Sequence, residues 1–169
     1  MKNGHRVRPP MADTAEDPWA PLRFLVGAWV GESTGQAGKG RGERTAEFAL
    51  LDRFLIVKNR VDYAPQEKNP KGEVHEDWSL FSQDHARKTI VLREFHGEGF
   101  VNQYSLRESG SSLVFLAEAI ENIPPGWRAR LTLTPQGQDT FLEEFDLAGP
   151  GKDLEPYVIG RWMRAPRKN

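Results

Sequence analysis

Along most of this chain apolar and polar residues alternate with a period of two, and turn-forming residues break the pattern at short intervals. That period puts successive side chains on opposite faces of a strand, so each segment has a wet face and a dry one. Ten segments read this way, near 26–33, 41–50, 53–63, 73–82, 87–96, 99–107, 112–121, 127–134, 139–147 and 155–164. The breaks between them include Pro65 to Gly72, Gly97-Glu98-Gly99, Pro124-Pro125-Gly126 and Gly149-Pro150-Gly151, the chemistry of tight turns. Parallel strands need crossovers of about a dozen residues or more, so these short connections predict an antiparallel meander. Closing it removes the free edges that template aggregation. The expected fold is therefore all-β, a ten-stranded antiparallel up-and-down barrel.

The two ends of the pattern suit closure. Gly27-Ala28-Trp29 opens the first strand, and Pro156-Tyr157-Val158-Ile159-Gly160-Arg161-Trp162-Met163-Arg164 forms a basic, aromatic last one. Before the first strand, Asp17-Pro18-Trp19-Ala20-Pro21-Leu22-Arg23-Phe24-Leu25 reads as a capped helix start that Pro21 holds to a turn or two. Trp19, Leu22 and Leu25 recur at intervals of three, a face that plugs an apolar opening. Gly27, Trp29 and Arg164 are the expected closure residues, with the indole of Trp29 under Arg161 or Arg164. Residues 1–16 are polar and Pro-bearing and are expected to be a disordered leader. Residues 17–165 are expected to form one domain, and 166–169 a tail.

Composition narrows the function. A formal charge of −1 on 169 residues supplies no global attraction to nucleic acid or an anionic membrane. Without cysteine there is no disulfide scaffold, thiolate nucleophile or thiolate metal site. The longest near-apolar run, residues 24–30, falls far short of the ~18 residues of a spanning helix. These observations predict a cytoplasmic protein with neither nucleic acid nor membrane as partner.

Three strands indicate what the barrel holds. In 127–134 one face is cleanly apolar, with Trp127, Ala129, Leu131 and Leu133. In 87–96, Thr89, Val91, Arg93 and Phe95 oppose Ile90, Leu92, Glu94 and His96, so either choice brings charge inside. In 99–107, Phe100, Asn102, Tyr104 and Leu106 carry an amide and a phenol inward. Polar groups among aromatics suit a ligand cavity better than a solid core. The candidate ligand-binding residues are Trp78, Arg93, Phe95, Tyr104, Tyr157 and Arg161, around a small hydrophobic or amphipathic molecule. Arg93, Tyr104 or Arg161 would hold a carboxylate or other acceptor on it.

Pro21-Leu22-x-Phe24-Leu25-x-Gly27-x-Trp29-x-Gly31-Glu32, Phe54-Leu55-Ile56-Val57, Leu154-Glu155-Pro156-Tyr157 and the terminal Trp162-Met163-Arg164 together resemble the nitrobindin-like barrels. These are calycins similar to lipocalins and fatty-acid-binding proteins, with an uncharacterised bacterial branch. The resemblance spans about residues 18–165 and implies a ferric haem held by a histidine that follows a proline in the last strand. Here Tyr157 follows Pro156. A haem-binding reading thus requires tyrosinate ligation, with a cation such as Arg161 beside the phenol. The expectation for cofactors is otherwise none, and the resemblance suggests a homodimer through an outer strand face.

Other constellations carry less. Gly38-Lys39-Gly40-Arg41-Gly42 lacks P-loop spacing and reads as a flexible hairpin tip. His75-Glu76-Asp77 with His96 invites a metal reading, but adjacent strand residues face opposite ways, and no metal site is expected. The same alternation separates Glu143 from Glu144, and no Gly-x-Ser-x-Gly elbow is present. Three functional classes remain: a small-molecule-binding barrel, a haem protein, and a cofactor-free enzyme using an interior Tyr, Arg or His.

Overall fold

The computed structural model describes residues 17–166. The leader assigned to residues 1–16 and most of the tail lie outside the described residues. A six-residue 3-10 helix, Ala20–Leu25, precedes β1 (Gly27–Gly35), β2 (Gly38–Ala49), β3 (Phe54–Tyr63), β4 (Glu73–Asp84) and β5 (Thr89–His96). There follow β6 (Val101–Ser109), β7 (Leu113–Glu121), β8 (Arg128–Pro135), β9 (Thr140–Ala148) and β10 (Glu155–Arg164). Every strand pairs antiparallel with its chain neighbours, and β1 pairs with β10 to close the ring. The fold is the all-β, ten-stranded up-and-down barrel expected from the period-two pattern. No described helix is long and apolar enough to cross a membrane.

One end of the barrel is packed shut. Leu22 and Leu25 of the 3-10 helix are fully buried against Trp29, Leu55, Leu92, Phe115, Leu133 and Phe141. Trp29 meets Phe141 edge to face, with ring centroids 4.8 Å apart, and its Nε1 donates to Leu25 O at 2.7 Å. Arg164 lies over the same indole, its guanidinium carbon 4.2 Å from the ring centroid. Its Nη2 donates to Phe24 O at 2.9 Å and its Nη1 to Val26 O. A single arginine thus ties the last strand to the carbonyls where the helix ends. These are acceptors that a helix terminus leaves without internal partners.

The glycine-rich segment differs from its sequence reading. Gly38, Gly40 and Gly42 belong to β2 rather than to a hairpin tip, and they alternate inward. A Cβ on Gly42 would stand 2.5 Å from Cη2 of Trp162, and one on Gly40 would stand 2.7 Å from Cγ1 of Val61. The missing side chains make room for an indole that arrives from β10. In β8 the apolar face expected inside is inside for Ala129, Leu131 and Leu133, which are buried, whereas Trp127 precedes the strand and is exposed.

Candidate functional site

Above the apolar floor the inner face turns polar. Arg44, opposite Trp29 on β2, is buried and forks onto Glu143 of β9, with Nη1–Oε2 at 2.5 Å and Nη2–Oε1 at 2.7 Å. Burial opposes the charge on Arg44, and the Glu143 carboxylate outweighs it, so the guanidinium is held above its ordinary range. Its planar face rests 4.1 Å from the Trp162 ring centroid, and Nε donates to Asn59 Oδ1 at 3.3 Å. Asn59 Nδ2 donates to buried Asp77 at 2.7 Å. His75 Nε2 lies 3.4 Å from Asp77 on one side, and Nδ1 lies 2.8 Å from Glu98 on the other. A continuous relay runs from mid-barrel to the open rim: Glu143, Arg44, Asn59, Asp77, His75, Glu98.

A second network borders the first. The Tyr104 hydroxyl donates to Glu94 at 3.2 Å and accepts from Asn102 at 2.8 Å. Burial, reinforced by the Glu94 charge, holds the Tyr104 phenol well above its ordinary range, which keeps it a donor. His96 Nε2 lies 3.2 Å from Asn102 Nδ2 and 3.4 Å from Glu94 Oε2. Among the described residues, His96 Nδ1, Asn102 Oδ1 and Trp162 Nε1 are buried without a hydrogen-bond partner. A buried polar atom with no partner costs about 1–3 kcal/mol.

The hydrogen bond to Asp77 raises the pKa of His75 to about 9 against the pull of burial, and Glu98 adds to the rise. With the folded value above the unfolded 6.5, the stabilisation is complete below about pH 6.5 and is lost as pH climbs through 9. In metal-free protein the His75 ring protons are expected to titrate by NMR with a midpoint near 9. In His75→Gln, the fall in melting temperature across that interval is expected to shrink. A His75 midpoint at the model-peptide value would mean that the two carboxylates do not hold it.

The sequence-derived candidates divide by face. Tyr104 is inside and fully buried. Trp78, Arg93 and Phe95 stand on the outer face, which corrects their assignment to the cavity. Trp78 and Phe95 oppose one another across β4 and β5, 54% and 44% exposed, with the Lys58 ammonium 4.7 Å over the indole. Their register neighbours decide this: inward Leu92 sits between Phe81 and Tyr104, which commits Glu94 and His96 to the interior. Tyr157 is at the rim, 41% exposed, with its ring edge-on to Phe145 at 5.9 Å. Arg161 pairs with Glu32 and Leu142 on the outer face and is exposed. A bulge at Tyr157 interrupts the alternation that would have put the two on one side. Gly27, Trp29 and Arg164 meet at the closed end as described.

The haem reading needs a cation against the Tyr157 phenol. Arg161 is outside, and the interior guanidinium of Arg44 is already engaged on both nitrogens by Glu143. The residues present do not make the ligand set that the nitrobindin resemblance would require. Sequence reasoning missed Arg44 and Asn59, and named Asp77, Glu94 and Glu143 without assigning them to the site. The inward period of β2 through Gly40, Gly42, Arg44 and Ala46 is the signal that points to Arg44.

A cavity of about 860 Å³ opens beside the β1–β2 and β3–β4 hairpins and reaches Ser33 and Tyr63, whose hydroxyls lie 2.9 Å apart. No family model matches the sequence, and the curated proteins contain no match. Among solved structures, the crystal structure of Rv2717c from M. tuberculosis has the same fold, with TM-score 0.61 and 14% identity. The match covers 88% of this chain and 98% of that one. At that identity the likeness carries the architecture alone.

Proposed function

We propose that this barrel binds a small amphipathic molecule through its open end, with a cationic or hydrogen-donating head turned toward the inner carboxyl groups. The observation that carries the reading is the buried network of Arg44, Glu143, Asp77, Glu94 and Tyr104. Filling the same volume with apolar side chains is commonly as stable or more so. A chain that keeps charged groups and unpartnered atoms there gives up stability for recognition.

The sign of the head group follows from what is free. Glu98, Glu94, Asp77 and Glu143 face one guanidinium, Arg44, which Glu143 saturates, and two imidazoles, His75 and His96. A carboxylate guest therefore lacks a free guanidinium inside, which replaces the acceptor-type ligand expected from Arg93 and Arg161. An ammonium or other donor would turn toward Glu94 beside Tyr104, with its apolar body at Tyr63, where the cavity reaches the inner face.

The test is calorimetric titration of the protein in chelator with dodecylammonium and, separately, with laurate. Dodecylammonium is expected to bind and laurate to bind at least tenfold more weakly. Glu94→Gln is expected to cost dodecylammonium roughly tenfold or more, the size of one hydrogen bond to a charged group. Laurate binding as tightly as the amine, or neither ion binding, would sink the proposal.

A further inference from the structure

We infer that His75, His96 and Glu98 form a binding site for a first-row divalent transition ion, such as Zn²⁺, at the open rim of the barrel. One ring nitrogen from each histidine and one Glu98 oxygen lie within 4.8 Å of one another. His75 comes from β4, His96 from the end of β5, and Glu98 from the turn that follows. Strand alternation, which separates His75 from Glu76, does not separate it from these two.

A second observation points to a ligand. The His96 side chain is 8% exposed, and its Nδ1 is buried without a partner, while Nε2 is engaged with Asn102 and Glu94. Phe100 stacks on this imidazole at 4.1 Å and fixes its plane. The structure thus holds a rigid, desolvated imidazole with one idle nitrogen beside a second imidazole and a carboxylate.

The donor atoms are already near the spacing of a metal site. Ligand bonds of about 2.0–2.2 Å put neighbouring donor atoms roughly 3–3.5 Å apart. His75 Nδ1 and Glu98 Oε1, at 2.8 Å, already approach that spacing. The remaining contraction is within reach of side-chain rotation, since Glu98 is 52% exposed. Asp77 stands on the far nitrogen of His75, at 3.4 Å, and is itself oriented by Asn59. A carboxylate behind a ligating imidazole is the usual outer support of such sites. Two imidazoles and one carboxylate favour Zn²⁺, Co²⁺, Ni²⁺ or Cu²⁺ over Ca²⁺ and Mg²⁺. On binding, the ion replaces the proton on His75, which leaves to solvent. Three protein ligands leave at least one coordination position for water or for a donor atom of a guest.

The three ligand side chains are not part of the buried network that carries the amphiphile reading, and only the supporting Asp77 is common to both. The two fail separately, since amphiphile binding is measured in chelator and ion binding without amphiphile. Untagged, chelator-stripped protein is titrated with Co²⁺, followed by its visible d–d absorption, with Zn²⁺ added as competitor. Saturation at one equivalent is expected, with Zn²⁺ displacing Co²⁺. His75→Ala, His96→Ala and Glu98→Gln are each expected to weaken binding about 100-fold or more, and Asp77→Asn roughly 10–100-fold. His5→Ala and His85→Ala are expected to leave it unchanged. His96 is a core residue, so each variant is first checked for a cooperative melt, and Glu98→Gln at the exposed rim provides the decision if His96→Ala fails to fold. Absence of a Co²⁺ spectrum in the wild type, or one retained in both Glu98→Gln and His75→Ala, would overturn the assignment.

Discussion

Arg44→Met is expected to lower stability by about 3–5 kcal/mol, a fall in melting temperature of roughly 6–20 °C for a domain of this size. The substitution keeps most of the apolar stem and removes the charge, so little of the loss is packing. What remains is a Glu143 carboxyl group stripped of both hydrogen bonds and a Trp162 ring without its cation. Asn59 also loses a donor on Oδ1, which loosens the relay to Asp77. The double variant Arg44→Met, Glu143→Leu is expected to recover most of this, since removing both ions also removes their desolvation cost. Urea unfolding followed by tryptophan fluorescence measures both. A double variant no more stable than the single one would show that the pair is held for packing and not for charge.

Trp29→Ala is expected to cost about 3–5 kcal/mol and to act on a different part of the barrel. The indole is 1% exposed, meets Phe141 edge to face, lies under Arg164 and donates to Leu25 O. Its loss opens a void beneath the 3-10 helix and leaves Arg164 held by the Phe24 and Val26 carbonyls and by Asp139 at 3.7 Å. Amide exchange at Leu22 and Leu25 is therefore expected to accelerate well beyond the change in global stability. Trp29→Phe, which keeps a ring and gives up the hydrogen bond, is expected to fall between Trp29→Ala and the wild type. Exchange at Leu22 that only tracks global unfolding would mean that the helix is not pinned through Trp29.

How far the chain can be read without coordinates varies from strand to strand. The β8 alternation of Ala129, Leu131 and Leu133 is unambiguous, because one face has nothing polar to offer the interior. β5 offers Arg93 and Phe95 on one side and Glu94 and His96 on the other, and local hydropathy does not choose between them. The choice comes from Leu92, which fits between Phe81 and Tyr104. The alternating glycines of β2 look like slack until Trp162 is placed against Gly42, and that partner lies on the last strand. Tyr157 and Arg161 share a face only if the strand is regular, and the bulge at Tyr157 makes it irregular.

The site was harder to read than the fold for the same reason. Arg44 and Glu143 are 99 residues apart and carry no mutual signal in sequence. His75, His96 and Glu98 are divided between a strand, the end of the next strand and a turn, with none of the spacing of a helical metal motif. Each is an ordinary polar residue in its local segment, and only the β4–β5 register, with Asp77 opposite His96, brings them to one rim.

The seam between β1 and β10 has a consequence for how the chain comes to life. Every other pairing joins consecutive strands, so hairpins accumulate locally as the polypeptide emerges. Arg164 meets Val26 across 138 residues, and drawing in a loop of that length costs about 4 kcal/mol of chain entropy. Until the final strand has left the ribosome, β1 and β9 present unpaired borders to the crowded cell. Nascent chains arrested just before Leu154 should thus recruit holdase chaperones that the released protein ignores.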